Sequence, residues 1–440
     1  MREPPGPGMW ETYRRLRATP LPEFPRFLNE LERQYGSVAA FRVPWRRFYF
    51  VNDPAAIKDV LVTQQQAFVK SEGTRAMREL LGEGLVTSEE PLHRRMRRIV
   101  QPAFHRERIV AYAQTMREYA QAWRPPSGVF DMHAEMMELT LRIASKTLFG
   151  VDAGAQADRV GAALHEVVTI FPDVLGPFGA IKRRLPFPAT VRFRKARRVL
   201  DEIVLGLIAQ RRKAGESSDN ARNDRSALSM LLTARDEQTG QGLSDAQVRD
   251  EVMTLFVAGH ETTANALTWT WYLLSKHPRV RERLCDELRR DPQSPYLDAV
   301  LSETLRLYPP AWILGRDALR EVDVQGWRFR KGATVFVSQL VMHRSPRYFS
   351  DPEHFQPDRW LPAPSLPQFA YFPFGGGARK CLGDQFAWTE ARIELAHLAQ
   401  RWRFELDRPE REVQPDPIIT LRPQGSVLMR AVPVTFAAFS

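Results

Sequence analysis

"FPFGGGARKCLGDQFA", residues 372–387, places three consecutive glycines and two cations before a cysteine and then opens into a predicted helix. Gly375, Gly376 and Gly377 let the backbone take unusual angles and come close to a ligand. A helix beginning just after Cys381 puts the sulfur near the positive end of a helix dipole. Arg379 and Lys380 beside it are expected to lower the thiol pKa further. Together these features predict a thiolate, which suits a nucleophile or a metal ligand better than a buried structural cysteine.

The rest of the chain narrows the choice. One other cysteine, Cys285, occurs among 440 residues, so there is no disulfide framework, and a reducing, cytoplasmic setting is expected. Cys285, in "RERLCDELRR", reads as a small buried residue. For Cys381, a nucleophile would want a partner base, and no nucleophile motif surrounds it. A zinc site would need several clustered ligands, and no second Cys or His stands at metal-ligand spacing. A lone thiolate in a glycine-rich loop also fits axial ligation of haem iron, where its electron donation promotes O–O cleavage.

With 43% hydrophobic residues the chain can bury a large core. Its net charge of +11 gathers in runs such as "HRRMRR" at 93–98 and "KRR" at 182–184. A solvated basic face is the plain reading; an acidic protein partner or an anionic membrane is the sharper one. Nucleic acid is not expected, because no basic-aromatic module, zinc-finger spacing or repeat accompanies the charge. The opening "MREPPGPGMWETYRRLRATP" has no apolar run, so neither a signal peptide nor a transmembrane segment is read there. Most of the chain after residue 55 reads as amphipathic helix, with long runs at 191–213 and 244–276 and a polar loop, "GESSDNARNDRS", at 215–226. Strands look few: a hairpin in 38–53, a strand at 335–342, and a hairpin at 418–432 closing near Gln424 and Gly425. The expected fold is mainly α with small peripheral β-sheets.

"FGGGARKCLG" at 374–383 resembles the haem-binding signature of the cytochrome P450 superfamily, with Phe374, Gly377, Arg379, Cys381 and Gly383 on its fixed positions. Three further motifs follow the same resemblance in order. "AGHETT" at 258–263 is similar to the oxygen-activation segment, with Glu261 and Thr262 as its acid-alcohol pair and Gly259 opening room beside the helix. Its plain alternative is a helix with a Thr-Thr step. A zincin reading of His260-Glu261 fails, because the second histidine would stand where Ala264 does. "ETLR" at 303–306 pairs Glu303 with Arg306 at i and i+3, and "FQPDRW" at 355–360 supplies Arg359 as third member of a structural network. "HRRMRR" puts His93 and Arg97 one turn apart; the resemblance implies that they reach the haem propionates with Arg379 and Arg316. No Cys-x-x-Cys-His occurs, so a non-covalent haem b is implied, with Phe374 packing over the sulfur.

The resemblance implies a single haem domain over 1–440, β-rich near 36–53, 335–342 and 418–432. Its activity would be a haem-thiolate monooxygenase inserting one atom of O2 into a C–H bond of a lipophilic substrate. The chain ends soon after the last predicted hairpin, so electrons are expected from a separate ferredoxin or flavodoxin with its reductase, docking on the cations around Lys380. The likeness of "RLYPPAWIL" and "ITLRPQG" to thermophilic bacterial carotene hydroxylases makes a carotenoid the expected substrate, with a fatty acid or terpenoid as alternatives. The connection at 171–188, apolar but carrying Lys182, Arg183 and Arg184, is a candidate for transient membrane contact. A peroxide-using enzyme and a non-catalytic haem-binding protein are the competing readings.

Overall fold

Ser244 and Gln247 build a reciprocal cap: the Gln247 N–H donates to the Ser244 hydroxyl (3.3 Å), and the Ser244 N–H donates to Gln247 Oε1 (3.0 Å). From that cap runs a 32-residue helix, Asp245–Lys276, which passes through the middle of the largest hydrophobic core. The computed structural model of the chain describes residues 2–175, 185, 187–217, 226–235 and 240–434. Its main helices are α1 (Met9–Ala18), α2 (Phe24–Tyr35), α3 (Leu92–Val100), α4 (Arg106–Ala122), α5 (Met132–Phe149) and α6 (Ala157–Leu175). They continue with α7 (Pro188–Ser217), α8 (Asp245–Lys276), α9 (Pro278–Arg290), α10 (Pro295–Leu307) and α11 (Asp384–Arg401). Among the described residues, no helix is long and apolar enough to cross a membrane.

The central helix α8 packs most closely on α5, and Gly259 explains part of that fit. A Cβ added there would lie 3.4 Å from Leu148 Cδ1 and 3.8 Å from Ala144 Cβ, both on α5. The room that Gly259 leaves beside the helix faces α5, where an added methyl would sit at ordinary contact distance. Trp269, fully buried on α8, stacks on Tyr308 with ring centres 4.0 Å apart and donates its indole N–H to the Leu421 carbonyl (3.1 Å). This ties α8 to the C-terminal strands.

The strands β1 (Val38–Val43), β2 (Arg46–Val51), β3 (Phe68–Lys70), β5 (Leu314–Ala318) and β8 (Thr334–Val337) form one sheet in the order β1-β2-β8-β5-β3. The predicted hairpin at 38–53 is β1-β2, with Val38 opposite Val51. Smaller sheets pair β6 (Val322–Val324) with β7 (Trp327–Phe329), and β4 (Val129–Asp131) with β12 (Leu428–Pro433) and β9 (Trp402–Leu406). β10 (Pro415–Pro417) pairs with β11 (Leu421–Pro423).

Two strand expectations change. The run 335–342 is a strand only to Val337, after which the Ser338 hydroxyl caps a one-turn helix, Gln339–Met342. The run 418–432 is no hairpin: β11 turns back on β10, whereas β12 joins β4 and β9 in another sheet. The two halves alternate similarly, but each half finds its better partner elsewhere in the chain. Of the loop expected at 215–226, α7 takes residues up to Ser217, and 218–225 lie outside the described residues. Residues 176–184 and 186 of the apolar connection also lie outside them; Leu185 and Phe187 are exposed.

Candidate active site

The loop before α11 is shaped by its glycines. Gly375 (φ 69°) and Gly377 (φ 70°) occupy the left-handed region. A Cβ on Gly377 would fall 1.9 Å from the Leu61 carbonyl oxygen. The Cys381 N–H donates to the Phe374 carbonyl (3.0 Å), closing the loop, and Gln65 Oε1 accepts from the Ala378 N–H (3.0 Å). Phe374 is half-buried, its ring 6.2 Å from that of Trp388 on α11, an aromatic partner that no motif flags.

Cys381 keeps accessible surface yet lies deep among protein atoms, and burial pushes its thiol up to about 11. Asp384 adds to the rise, while the Gly383 backbone, Arg97 and Lys380 oppose it. Within the protein's own atoms desolvation outweighs the loop, Arg97 and Lys380, so the expected thiolate depends on a bound cation as well. Arg379, expected to help, forms an ion pair with Glu89. Arg97 does reach the loop, donating to the Lys380 carbonyl (2.8 Å).

Beside this loop the fold gathers basic side chains from four segments. Lys70, at the end of β3, is buried and donates its ammonium to the carbonyls of Leu85 (2.8 Å) and Ser88 (2.6 Å). Burial, then the charges of Arg379 and Arg316, push it down to about 7. Arg316 on β5 is likewise buried, pushed down to about 10 by desolvation and then Arg379. His93 on α3 is pushed down to about 4 by burial and then Lys70, although Glu90 stands 3.3 Å from its Nδ1. Lys70 was missed because a lone lysine ending a short strand carries no sequence signal. Glu251 on α8, buried and pushed up to about 7 by desolvation, is a second omission.

Glu261 and Thr262 face different ways, as neighbours on a helix must. Thr262 is half-buried and donates to the Ala258 carbonyl (2.9 Å), on a flank of α8 where Ala258 is exposed. Glu261 lines a cavity of about 430 Å³ between α5, α6 and α8, together with His133, Asp158, His260 and Arg422. The Thr420 hydroxyl donates to Glu261 Oε1 (2.6 Å) and accepts from Asn265 Nδ2 (3.2 Å). Asn265 Oδ1 stands 2.9 Å from His133 Nε2. Burial raises the Glu261 pKa against the opposing effects of Thr420 and Arg422.

Behind the loop, Glu303 and Arg306 on α10 are fully buried and meet as a two-pronged pair at 2.8 and 2.9 Å. Arg359 Nε (3.0 Å), Trp360 Nε1 (2.9 Å) and the Gln356 N–H (2.9 Å) also donate to Glu303. Arg306 donates onward to the carbonyls of His343, Pro352 and His354.

A model of the Cytochrome P450 family matches residues 4–430. The chain belongs to the cytochrome P450 family. It is 36% identical over 406 residues to cyclooctatin synthase of Streptomyces melanosporofaciens, covering 88% of this chain and 87% of that one. It is 35% identical over 416 residues to pentalenene oxygenase of Streptomyces avermitilis, covering 90% of each. Cyclooctat-9-en-7-ol 5-monooxygenase, also of Streptomyces melanosporofaciens, is 35% identical over 390 residues, covering 84% of this chain and 83% of that one.

This P450 is therefore a monooxygenase, using a haem iron with a cysteine thiolate ligand, O2, an organic substrate and a redox donor. Its residues fit that group. Besides burial, Arg379 and Arg316 lower the proton affinity of Lys70, and Arg379 lowers that of Arg316, so positive charge is concentrated around Glu89. Two propionates would restore the balance.

Proposed function

We propose that this P450 hydroxylates a compact terpenoid, with Cys381 as the thiolate that would hold the iron of a non-covalent haem b. The names of the similar proteins carry the substrate reading: pentalenene and cyclooctat-9-en-7-ol are terpenoid. The expected carotenoid finds no support among them. Bound haem would supply the chemistry that activates O2, one oxygen atom going into the C–H bond and the other leaving as water with two electrons from the donor and two protons.

The chain's own residues do the rest. Lys70, His93, Arg316 and Arg379 hold the propionates, and Arg97 braces the cysteine loop through Lys380. Phe374 and Trp388 limit water at the sulfur. Thr262 orients a proton-donating water on the accessible flank of α8. Glu261 takes protons from the cavity and passes them across the helix once its hydrogen bond to Thr420 opens. A separate ferredoxin or flavodoxin delivers electrons, steered by the exposed cations Arg94, Arg98 and Lys380.

Thr262→Ala keeps haem and substrate binding but diverts electrons into hydrogen peroxide, lowering product per electron by on the order of tenfold to a hundredfold. Wild-type coupling in that variant would assign Thr262 to plain helix. For the substrate, a compact cyclic terpene, a long-chain fatty acid and β-carotene are titrated against the ferric protein. The terpene is expected to shift the Soret band by displacing water from iron, and to be oxidised. If only the fatty acid or the polyene does both, the terpenoid assignment is wrong.

A further inference from the structure

Helix α1 turns its largest rings outward. Thr12, fully buried, and Leu16, packed beside Phe27 and Leu28, hold its inner face against the β1-β2 hairpin. The preceding segment is pinned too: the Ala40 N–H donates to the Pro5 carbonyl (2.8 Å) and the Arg2 N–H to that of Gly326 (3.1 Å). Trp10, Tyr13, Arg14 and Arg17 recur at i, i+3, i+4 and i+7, so they share the opposite face.

Trp10 is 62% exposed, and Trp45, in the turn joining β1 and β2, is 57% exposed. The two are linked through Tyr13 by edge-to-face contacts of 6.1 and 5.8 Å, so they form one continuous aromatic ridge. Arg17 lies over the Tyr13 ring at 5.8 Å. Arg14, Arg17 and Arg42 are exposed, and among the described residues none of them pairs with a carboxylate within 4.0 Å. The nearby acids are engaged elsewhere, Glu11 with Arg15 and Glu3 with Arg47 and Arg330.

We propose that this ridge docks the protein on an anionic lipid bilayer. Indole and phenol rings are amphipathic and settle at the headgroup level, while guanidinium groups keep their charge among anionic headgroups. The three arginines supply the charge complement, and the packed inner face of α1 presents the rings without a folding step. The contact involves none of the residues of the haem site and does not depend on which substrate is oxidised.

The test is co-sedimentation of the haem-loaded protein with vesicles, at low and high salt. Vesicles of phosphatidylglycerol and phosphatidylcholine are expected to carry the protein down at low salt, and pure phosphatidylcholine much less. Arg14→Gln/Arg17→Gln/Arg42→Gln lowers the association on the order of a hundredfold, and Trp10→Ala/Trp45→Ala by about tenfold or more. Brominated lipid quenches tryptophan fluorescence in the wild type and quenches it less in Trp10→Phe/Trp45→Phe. Visible spectra and melting curves check that each variant is folded. No sedimentation with anionic vesicles, equal sedimentation of folded variants and wild type, or quenching unchanged in the phenylalanine variant each overturns the proposal. So does a soluble protein that binds this ridge while vesicles do not.

Discussion

Cys381→Ser abolishes the red-shifted Soret band of the reduced, CO-bound protein, whereas Cys285→Ser leaves it in place. The substitution exchanges one atom, and the interaction that closes the loop, from the residue 381 N–H to the Phe374 carbonyl, is a backbone hydrogen bond that serine keeps. The glycine conformations and the Gln65 contact to Ala378 are likewise independent of the sulfur. A serine hydroxyl donates far less electron density to iron than a thiolate, so the spectral signature goes while the protein stays folded. Cys285 is half-buried on α9, with its thiol 3.5 Å from the Ala399 carbonyl, a contact that a serine hydroxyl reproduces. Absorption spectra of both variants under CO, with circular dichroism as a folding check, decide the matter. An unchanged band in Cys381→Ser would falsify the ligand assignment.

Glu303→Gln lowers the unfolding free energy by about 3–5 kcal/mol. Five N–H donors converge on this carboxylate, from Arg306, Arg359, Trp360 and the Gln356 backbone. Glutamine offers one acceptor oxygen and turns an NH2 group toward those donors, leaving the fully buried Arg306 guanidinium uncompensated. An exposed helical pair calibrates the effect: Arg26 and Glu30 on α2 meet at 3.3 Å with Arg26 well exposed, and Arg26→Ala costs about 1 kcal/mol or less. Urea unfolding followed by circular dichroism measures both. A loss in Glu303→Gln no larger than that of Arg26→Ala would show that burial adds nothing to the network.

Local chemistry was readable wherever neighbours in the chain are also neighbours in space. The Glu303–Arg306 pair and the glycines before Cys381 are each set out within a few residues, so spacing alone announces them. The β1-β2 hairpin is legible for the same reason. Helical runs and the excess of helix over strand follow from periodicity, which a chain carries wherever it folds.

Other properties depended on groups brought in from far along the chain. Spacing predicts a lowered thiol pKa at Cys381, but the burial that raises it comes from the surrounding packing. Lys70 gains its place in the cationic cluster only because β3 pairs with β5, which sets Lys70 opposite Arg316. Residues 418–432 are split between two sheets by partners near 130, 405 and 416, and the same split brings Thr420 to Glu261 across more than 150 positions. Gly259 reads as room beside the helix, and only the packing of α5 decides what that room faces. In each case the free energy that decides the outcome is desolvation or contact with a distant segment, and neither exists before the chain has folded.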